Sequence, residues 1–195
     1  MKLLGSTTSP FVRRIRLYLI NIEVTETACE FINLDIFDTQ DRAFLTQNNP
    51  AQKIPVLIDD DNVINDSGVI YRYLAQKFNQ PALTWQQENL LTEIDAANDS
   101  MVSMLLLMRS GIDVKQDALF FNLQKERVGK ILDSLNEAVA DDVIKQWDYV
   151  AISLYCLLDW LSFREIYFWQ DHNSLLNFFE KAKYQKGIKE TVPRI

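Results

Sequence analysis

Hydrophobic and polar positions follow two different patterns along the chain, and the change comes just after residue 78. Up to there, short apolar runs separated by polar turns alternate with segments whose apolar residues recur at helical spacing. Beyond it the strand-like runs stop, and helical spacing continues to about residue 186. The pattern predicts an α/β domain at 1–78, a linker at 79–84 and an all-helical domain at 85–195.

The first domain is predicted to have the element order βαβαββα. Gly5 ends a short apolar run, and Pro10, which suits the first turn of a helix, follows the N-cap candidate Ser9. An acidic turn joins two later strands into a hairpin, and Asp66 or Ser67 caps the helix after it. The predicted strands lie at 1–4, 28–34, 56–59 and 63–65, and the helices begin at Pro10, span 38–47, and end near Lys77.

The second domain is predicted to consist of helices alone. Its apolar residues recur three and four positions apart, and no repeat of solenoid length is present in the sequence. The helices are expected at about 85–109, 116–139, 148–164 and 173–183.

Composition restricts the possible functions of the protein more than it restricts the possible folds. The 195 residues include 20 Lys and Arg against 27 Asp and Glu, a formal charge of -7 that disfavours nucleic-acid binding. No apolar run approaches the roughly 20 residues of a membrane helix, and the start Met-Lys-Leu-Leu-Gly-Ser is a poor signal peptide. We therefore expect a cytoplasmic protein that binds neither nucleic acid nor membrane.

The residues that usually carry metal or triad chemistry are few. Cys29 and Cys156 are far apart in apolar surroundings, so they are interpreted as buried thiols. His172 is the single histidine and is interpreted as a surface or capping residue. No metal site and no Ser-His-Asp triad is predicted.

Three short motifs stand at element boundaries of the first domain: Ser-Pro-Phe at 9–11, Lys-Ile-Pro-Val-Leu at 53–57 and Asp-Ser at 66–67. Together they resemble the N-terminal domain of the glutathione transferase superfamily. The segment 151–164 is similar to the buried core helix of that superfamily, closest to bacterial YibF-type members. The resemblance implies a thioredoxin-like domain followed by a helical one, usually in a two-fold homodimer.

One position departs from the pattern of that superfamily. Its core helix usually starts with Ser or Thr followed three residues later by Asp, whereas this chain has Asp148 and then Ala151. Asp148 can still cap the helix, but the reciprocal half of the capping box is missing.

The resemblance implies glutathione as co-substrate and assigns its binding residues. Asp66 and Ser67 start a helix, where free N–H groups and the Ser67 hydroxyl can hold the γ-glutamyl carboxylate. Pro55 is implied to be cis, so that the backbone of Ile54 pairs with the cysteinyl part like an added strand. Lys53 is either a partner of the glycyl carboxylate or an ordinary surface lysine. The simpler alternatives are a plain helix cap and a core strand with a tight entry.

The group beside the glutathione sulfur is predicted to be a hydroxyl. A thiol of pKa about 8.5 needs about 2 kcal/mol of stabilisation to be mostly thiolate at neutral pH. One charged hydrogen bond of roughly 1.5 to 3 kcal/mol plus a helix N-terminus suffices. Ser9 matches the cysteine of Cys-Pro-Phe relatives, and Thr8 is the alternative, in which case Ser9 is mainly an N-cap. Tyr18 lies too far inside the helix for this role.

The turn contains no cysteine, and Cys-x-x-Cys does not occur in the sequence, so disulfide exchange through a protein nucleophile is disfavoured. The basic cluster Arg13, Arg14 and Arg16 either steers an anionic ligand or forms a solvated face or an interdomain ion pair. Apolar residues at 101, 104, 105 and 108 either face an electrophile or pack as core or dimer interface: Met101, Met104, Leu105 and Met108.

The predicted function is that of a glutathione transferase acting on a small apolar electrophile. The same thiolate would also serve glutathione-dependent isomerisation or peroxide reduction, and the sequence does not separate these reactions. The alternative is a non-catalytic protein of the same fold that acts as a binding or regulatory module.

Overall fold

The computed structural model describes residues 1–193. Contacts within the chain divide it into two compact units. The first unit comprises Met1–Ala82 together with Gln185–Ile195, and the helical unit comprises Leu83–Tyr184.

A four-stranded mixed sheet forms the centre of the first unit. Its strands are β1 (Lys2–Gly5), β2 (Glu30–Asn33), β3 (Val56–Asp59) and β4 (Asn62–Asn65), in the order β2-β1-β3-β4. β1 is parallel to β2 and antiparallel to β3, and β3 forms the predicted hairpin with β4. The sheet confirms the thioredoxin-like prediction.

Three helices cover this sheet: α1 (Pro10–Asn21), α2 (Thr39–Asn48) and α3 (Ser67–Lys77). Val12 and Ile15, two of the apolar residues that gave α1 its helical spacing, are fully buried. Gly5 lets the end of β1 pass close to α1, because a Cβ there would collide with the Val12 side chain. The close approach fixes the turn at residues 6–9, which carries the candidate hydroxyls.

Four helices form the helical unit: α4 (Trp85–Arg109), α5 (Leu119–Ala140), α6 (Tyr149–Arg164) and α7 (Asn173–Ala182). α4 has the predicted bounds, and α6 is buried from Tyr149 to Leu161, as expected of a core helix. α5 begins later than predicted because Asp113 organises a turn, accepting hydrogen bonds from the Lys115 N–H and the Gln116 side chain. Within residues 1–193 no helix is both long and apolar enough to cross a membrane.

The segment that begins at Gln185 belongs to the first unit, whereas the sequence analysis placed it in the helical domain 85–195. Arg13, which is 3% exposed on α1, donates from Nε to Thr191 Oγ1 and from Nη2 to Ile188 O, each at 3.2 Å. Ile188 is buried as well. The division differs because these contacts join residues more than 170 positions apart, which local spacing does not reveal.

Candidate functional site

The register of the sheet brings the three sequence motifs to one edge. Val56, the first residue of β3, pairs with Leu4 on one side and with Asn65 on the other. One residue beyond this row, the chain enters the turn after Gly5, the Ile54–Pro55 peptide and the start of α3. The three predicted parts of the site therefore lie next to one another within the first unit.

Ser9 caps α1 in extended backbone geometry, with φ −87° and ψ 127°. Its Oγ accepts a hydrogen bond from the Val12 N–H at 3.4 Å, and its own N–H donates to Ser6 O at 3.1 Å. A distance of 3.4 Å exceeds the usual 2.7 to 3.2 Å range, so the capping bond is weak. The Ser9 hydroxyl thus stands at the helix N-terminus with most of its hydrogen-bonding capacity available.

Thr8 occupies the same turn, and its Oγ1 lies 3.2 Å from Ser6 Oγ. The turn is tied to β2 by a hydrogen bond from the Thr7 N–H to Asn33 Oδ1 at 3.0 Å. Ser9 and Thr8 are both partly exposed. The Thr8 hydroxyl already has a hydroxyl neighbour, whereas Ser9 has only the long capping bond.

The Ile54–Pro55 peptide bond is cis, as the resemblance implied. Ile54 is half-buried, and within residues 1–193 neither its N–H nor its C=O forms a hydrogen bond. The loop before it is held by the buried side chain of Asn49, whose Nδ2 donates to Lys53 O at 2.8 Å. The Lys53 residue itself is exposed, so both interpretations of its side chain stay open.

Asp66 is the N-cap of α3 and has a left-handed backbone, with φ +72° and ψ 135°. Its Oδ1 accepts hydrogen bonds from the Gly68 N–H at 2.8 Å and from the Val69 N–H at 3.3 Å. Such a φ in a non-glycine residue costs roughly 1 to 3 kcal/mol, and strained residues of this kind concentrate at functional sites. Asp66 is exposed, and Ser67 beside it is buried.

Arg14 joins α1 to the start of α3. It is 2% exposed, and its Nη2 donates to Ser67 Oγ at 2.5 Å while its guanidinium lies 5.0 Å from the centre of the Phe11 ring. A buried positive charge therefore stands directly behind the helix N-terminus that was predicted to hold a carboxylate. From the sequence, Arg14 is expected to steer an anionic ligand, to lie on a solvated face or to form an interdomain ion pair, and this contact with Ser67 is not predicted. The available signal is its position between Val12 and Ile15, which are both buried.

Two further titratable groups of the first unit, Tyr18 and Cys29, are held in their neutral forms. Tyr18 is buried edge-on against Tyr71, with ring centres 4.9 Å apart, and burial raises the pKa of its phenol to about 12. Burial likewise raises the pKa of the Cys29 thiol to about 11. Cys29 and Cys156 are both buried thiols, as predicted. At neutral pH, Cys29 is therefore not a thiolate and Tyr18 is not a phenolate.

The three methionines of α4, at positions 101, 104 and 108, lie in two different environments. Met101 and Met104 are buried in the core of the helical unit, while Met108 is 44% exposed. His172 lies at the N-cap position of α7, where Nδ1 is 2.9 Å from Trp169 O and Nε2 is 3.1 Å from Asp133 Oδ1. His172 thus lies at a helix start and contacts a backbone carbonyl and a carboxylate. No group of three metal-binding side chains occurs in residues 1–193.

Comparison with known proteins agrees with the motifs. Residues 3–82 match the family described as glutathione S-transferase, N-terminal domain. The chain is 29% identical to the uncharacterized GST-like protein YibF of Escherichia coli (strain K12), over 85% of this chain and 84% of that protein.

Solved structures share the fold over nearly the whole chain. A glutathione S-transferase from Methylobacillus flagellatus KT with GSH bound is 22% identical, with a TM-score of 0.84 and 98% of each chain covered. A glutathione transferase family member from Pseudomonas fluorescens Pf-5 with bound glutathione is 25% identical, with a TM-score of 0.82 over 100% of this chain and 99% of that one.

Proposed function

Because the chain belongs to the glutathione transferase superfamily, we propose that it is a glutathione transferase with a hydroxyl-type site. The observation that carries the proposal is the row Leu4, Val56 and Asn65, which gathers the hydroxyl turn, the Ile54 backbone and the start of α3 at one edge of the sheet. Two structural neighbours contain bound glutathione, which supports the same ligand for this chain.

The γ-glutamyl end of glutathione is assigned to Asp66, Ser67 and Arg14. The Ser67 hydroxyl and the N-terminus of α3 bind the carboxylate, and the Arg14 guanidinium at 2.5 Å from Ser67 Oγ adds a buried positive charge. The Asp66 carboxylate, which uses Oδ1 for the cap, has a second oxygen for the ligand's ammonium group.

The middle of glutathione is assigned to Ile54. Its unpaired N–H and C=O can form the two hydrogen bonds of an added strand with the cysteinyl residue, and Pro55 continues into β3. This pairing uses backbone atoms alone and places the cysteinyl side chain near the turn at residues 6–9. The exposed Lys53 is the candidate partner of the glycyl carboxylate.

The reactive end of glutathione is assigned to Ser9, with Thr8 as the alternative. The thiol proton leaves to solvent, and the thiolate accepts a hydrogen bond from the Ser9 hydroxyl near the N-terminus of α1. The sulfur electron pair then forms a bond to the electrophilic carbon, and the electron pair of the broken bond departs with the leaving group. A charged hydrogen bond contributes roughly 1.5 to 3 kcal/mol, enough for the needed shift of the thiol pKa.

The hydroxyl is tested by titrating bound glutathione. The ultraviolet absorbance of the thiolate, followed from about pH 5 to pH 9, gives the pKa of the bound thiol. Ser9→Ala is expected to raise that pKa by about one unit or more, while Thr8→Ala and the control Ser6→Ala leave it nearly unchanged.

A rise for Thr8→Ala alone would move the role to Thr8. Failure of the wild-type chain to bind glutathione in isothermal titration would overturn the proposal. Binding without turnover of any electrophile would instead favour the binding-module alternative.

The proposed site for the γ-glutamyl carboxylate is tested by measuring how an Arg14 variant binds glutathione and a modified glutathione. Arg14→Gln is expected to weaken glutathione binding roughly tenfold or more. The same variant should bind a glutathione analogue that lacks the γ-glutamyl carboxylate about as well as the wild type does. Arg14→Lys, which keeps the charge, serves as the control. Equal losses for both ligands would show that Arg14 only supports the fold.

A two-fold homodimer is carried over from the superfamily as part of the proposal. Sedimentation equilibrium of the full chain measures the assembly mass, and a monomer over the whole concentration range would contradict it.

A further inference from the structure

The first unit contains a cavity of about 450 Å³ that is not lined by any of the candidate glutathione residues. It is bounded by the second half of α1, the loop after that helix, the start of β2 and the segment that follows Tyr184. All of these parts belong to the same unit. The cavity is therefore a separate place for a ligand and does not depend on the glutathione proposal.

The inner wall of this cavity is largely apolar. Leu3 and Phe31 are partners in the register of β1 and β2, so their side chains share one face of the sheet. Leu19 of α1 lines the same space, and both leucines are buried. These side chains favour a ligand with a hydrocarbon group.

Arg16 places a half-buried positive charge on the wall. Its guanidinium lies 4.3 Å from the centre of the Phe31 ring, and its Nη2 donates to Glu190 O at 3.4 Å, beyond the usual range. Arg16 forms no other hydrogen bond and no ion pair in the described part of the chain. Its remaining donors suit a planar carboxylate, which can accept two parallel hydrogen bonds from one guanidinium.

The rim of the cavity is negatively charged. Glu26, Glu30 and Glu190 line it, are exposed, and form no ion pair with any residue from 1 to 193. Burial, followed by the charge of Arg13, lowers the pKa of the Arg16 guanidinium, while the charge of Glu26 acts in the opposite direction. Arg16 and Glu26 thus line one cavity without forming an ion pair with each other.

We propose that this cavity binds a free amino acid with an apolar side chain. The ligand's carboxylate accepts hydrogen bonds from Arg16, its ammonium group lies beside Glu26, and its hydrocarbon side chain packs against Leu19. A ligand with a single charge would complement only one of the two protein charges. The volume lies within the range of roughly 300 to 1,000 Å³ that is usual for small-molecule sites.

The test measures binding of L-leucine to the full chain by isothermal titration at neutral pH, together with two probes that each lack one charge. Leucinamide lacks the carboxylate and is expected to bind about tenfold more weakly than leucine. 4-Methylpentanoate lacks the ammonium group and should bind about two- to fivefold more weakly, because solvent screens the exposed Glu26 carboxylate.

Two variants remove the protein charges one at a time. Arg16→Gln should weaken leucine binding about tenfold and leave leucinamide binding unchanged. Glu26→Gln should weaken leucine binding about two- to fivefold and should not weaken binding of 4-methylpentanoate. Arg42→Gln changes an exposed arginine of α2 that does not line the cavity, so this matched control should have no effect. Circular dichroism shows whether Arg16→Gln is folded, and Glu26→Gln provides a second variant in an exposed loop.

The place where leucine binds needs a control of its own, because leucine shares its charged end with the γ-glutamyl part of glutathione. Arg14→Gln, at the candidate glutathione site, should leave leucine binding unchanged. A loss for Arg14→Gln as large as that for Arg16→Gln would overturn the proposal. The same holds for a wild type that does not bind leucine, for equal binding of leucine and leucinamide, and for an equal loss with Arg42→Gln.

Discussion

Asp59 is the acceptor of two hydrogen bonds that join the end of β3 to α3. The carboxylate is 5% exposed, and its Oδ2 accepts from the Lys77 ammonium and the Tyr73 hydroxyl. The Lys77 bond, followed by the Tyr73 bond, lowers the pKa of Asp59 below its usual value. Its ionised form therefore stabilises the native state.

Asp59→Asn is expected to lower the free energy of unfolding by about 1 kcal/mol at neutral pH. Because the native pKa of Asp59 is lowered, its contribution is complete above the unfolded value of about 3.9 and is lost as pH falls through the native value. The gap between wild type and variant in urea unfolding should thus be constant above about pH 5 and shrink below about pH 4. Asp61→Asn in the exposed turn is the control, and a gap that persists in acid would contradict the assignment.

The sequence predicted individual site residues where the backbone gives them their role. Ile54 and Ser67 were assigned through the resemblance to the superfamily, at a residue before a proline and at a helix start, and the structure brings both to one edge of the sheet. Arg14 could not be assigned in the same way. An arginine on a helix looks alike whether it points to solvent or to a buried hydroxyl on another helix, and only the packing of α1 against α3 decides.

At the scale of elements, the start of α6 combines a local cap with a hydrogen bond from a residue far away in the chain. Asp148 Oδ1 accepts hydrogen bonds from the Val150 and Ala151 N–H groups at 3.0 and 3.1 Å. Its other oxygen accepts from Gln87 Nε2 at 2.9 Å, and Gln87 Oε1 accepts from the Thr84 N–H. One glutamine side chain therefore joins the caps of α4 and α6.

Asp148→Ala is expected to cost about 1 kcal/mol of unfolding free energy, the usual value for a lost N-cap. Gln87→Ala should cost a similar amount, because it removes the reciprocal half of the Thr84 capping box and the contact to Asp148. The double variant should lose at least about 0.5 kcal/mol less than the sum, since the two residues share a bond. Urea unfolding followed by circular dichroism measures all three, with Gln86→Ala as control; strict additivity would contradict the coupling.

Most helices and strands were predictable from the sequence, but the hydrogen bonds that hold their ends were not. Spacing of apolar residues gave α4 its observed bounds, whereas the start of α5 was placed too early because Asp113 holds a turn there. The partner of Asp148 lies 61 residues earlier in the chain, beyond the reach of any capping rule.

At the scale of the whole molecule, the first unit is built from two separate stretches of chain. Gly187 lies where the second stretch meets α1, with φ +87°, and a Cβ there would come within 2.8 Å of Ile20 Cδ1. Gly111 in the helical unit has a similar φ of +81°, but a Cβ there would meet nothing within 4 Å. Comparing alanine substitutions at the two glycines therefore separates the cost of a positive φ from the cost of a steric clash.

Gly111→Ala is expected to cost roughly 1 to 2 kcal/mol for its positive φ alone. Gly187→Ala should cost about 1 to 3 kcal/mol more, because the methyl group also displaces Ile20. Adding Ile20→Val, which removes the nearest atom, should restore part of the loss. Thermal unfolding measures each variant, and equal losses at the two glycines would contradict the contact of this segment with α1.

The two-domain plan was visible in the sequence because strand-like and helical patterns occupy different halves of the chain. The return of the segment after Tyr184 was not visible, since it has no periodicity and is held by Arg13 through a hydroxyl and a carbonyl. Hydrogen bonds to such common groups leave no recognisable spacing in a sequence.

The position of that segment sets an order of events during synthesis. Residues 185–193 leave the ribosome after all of the helical unit, yet they supply the acceptors for the buried side chain of Arg13 on α1. The part of the protein that is translated first is therefore among the last to be completed, even though nascent domains generally fold from the N-terminus onward. Until then the buried side chain of Arg13 lacks the hydrogen bonds to Thr191 and Ile188 that hold it in the finished protein.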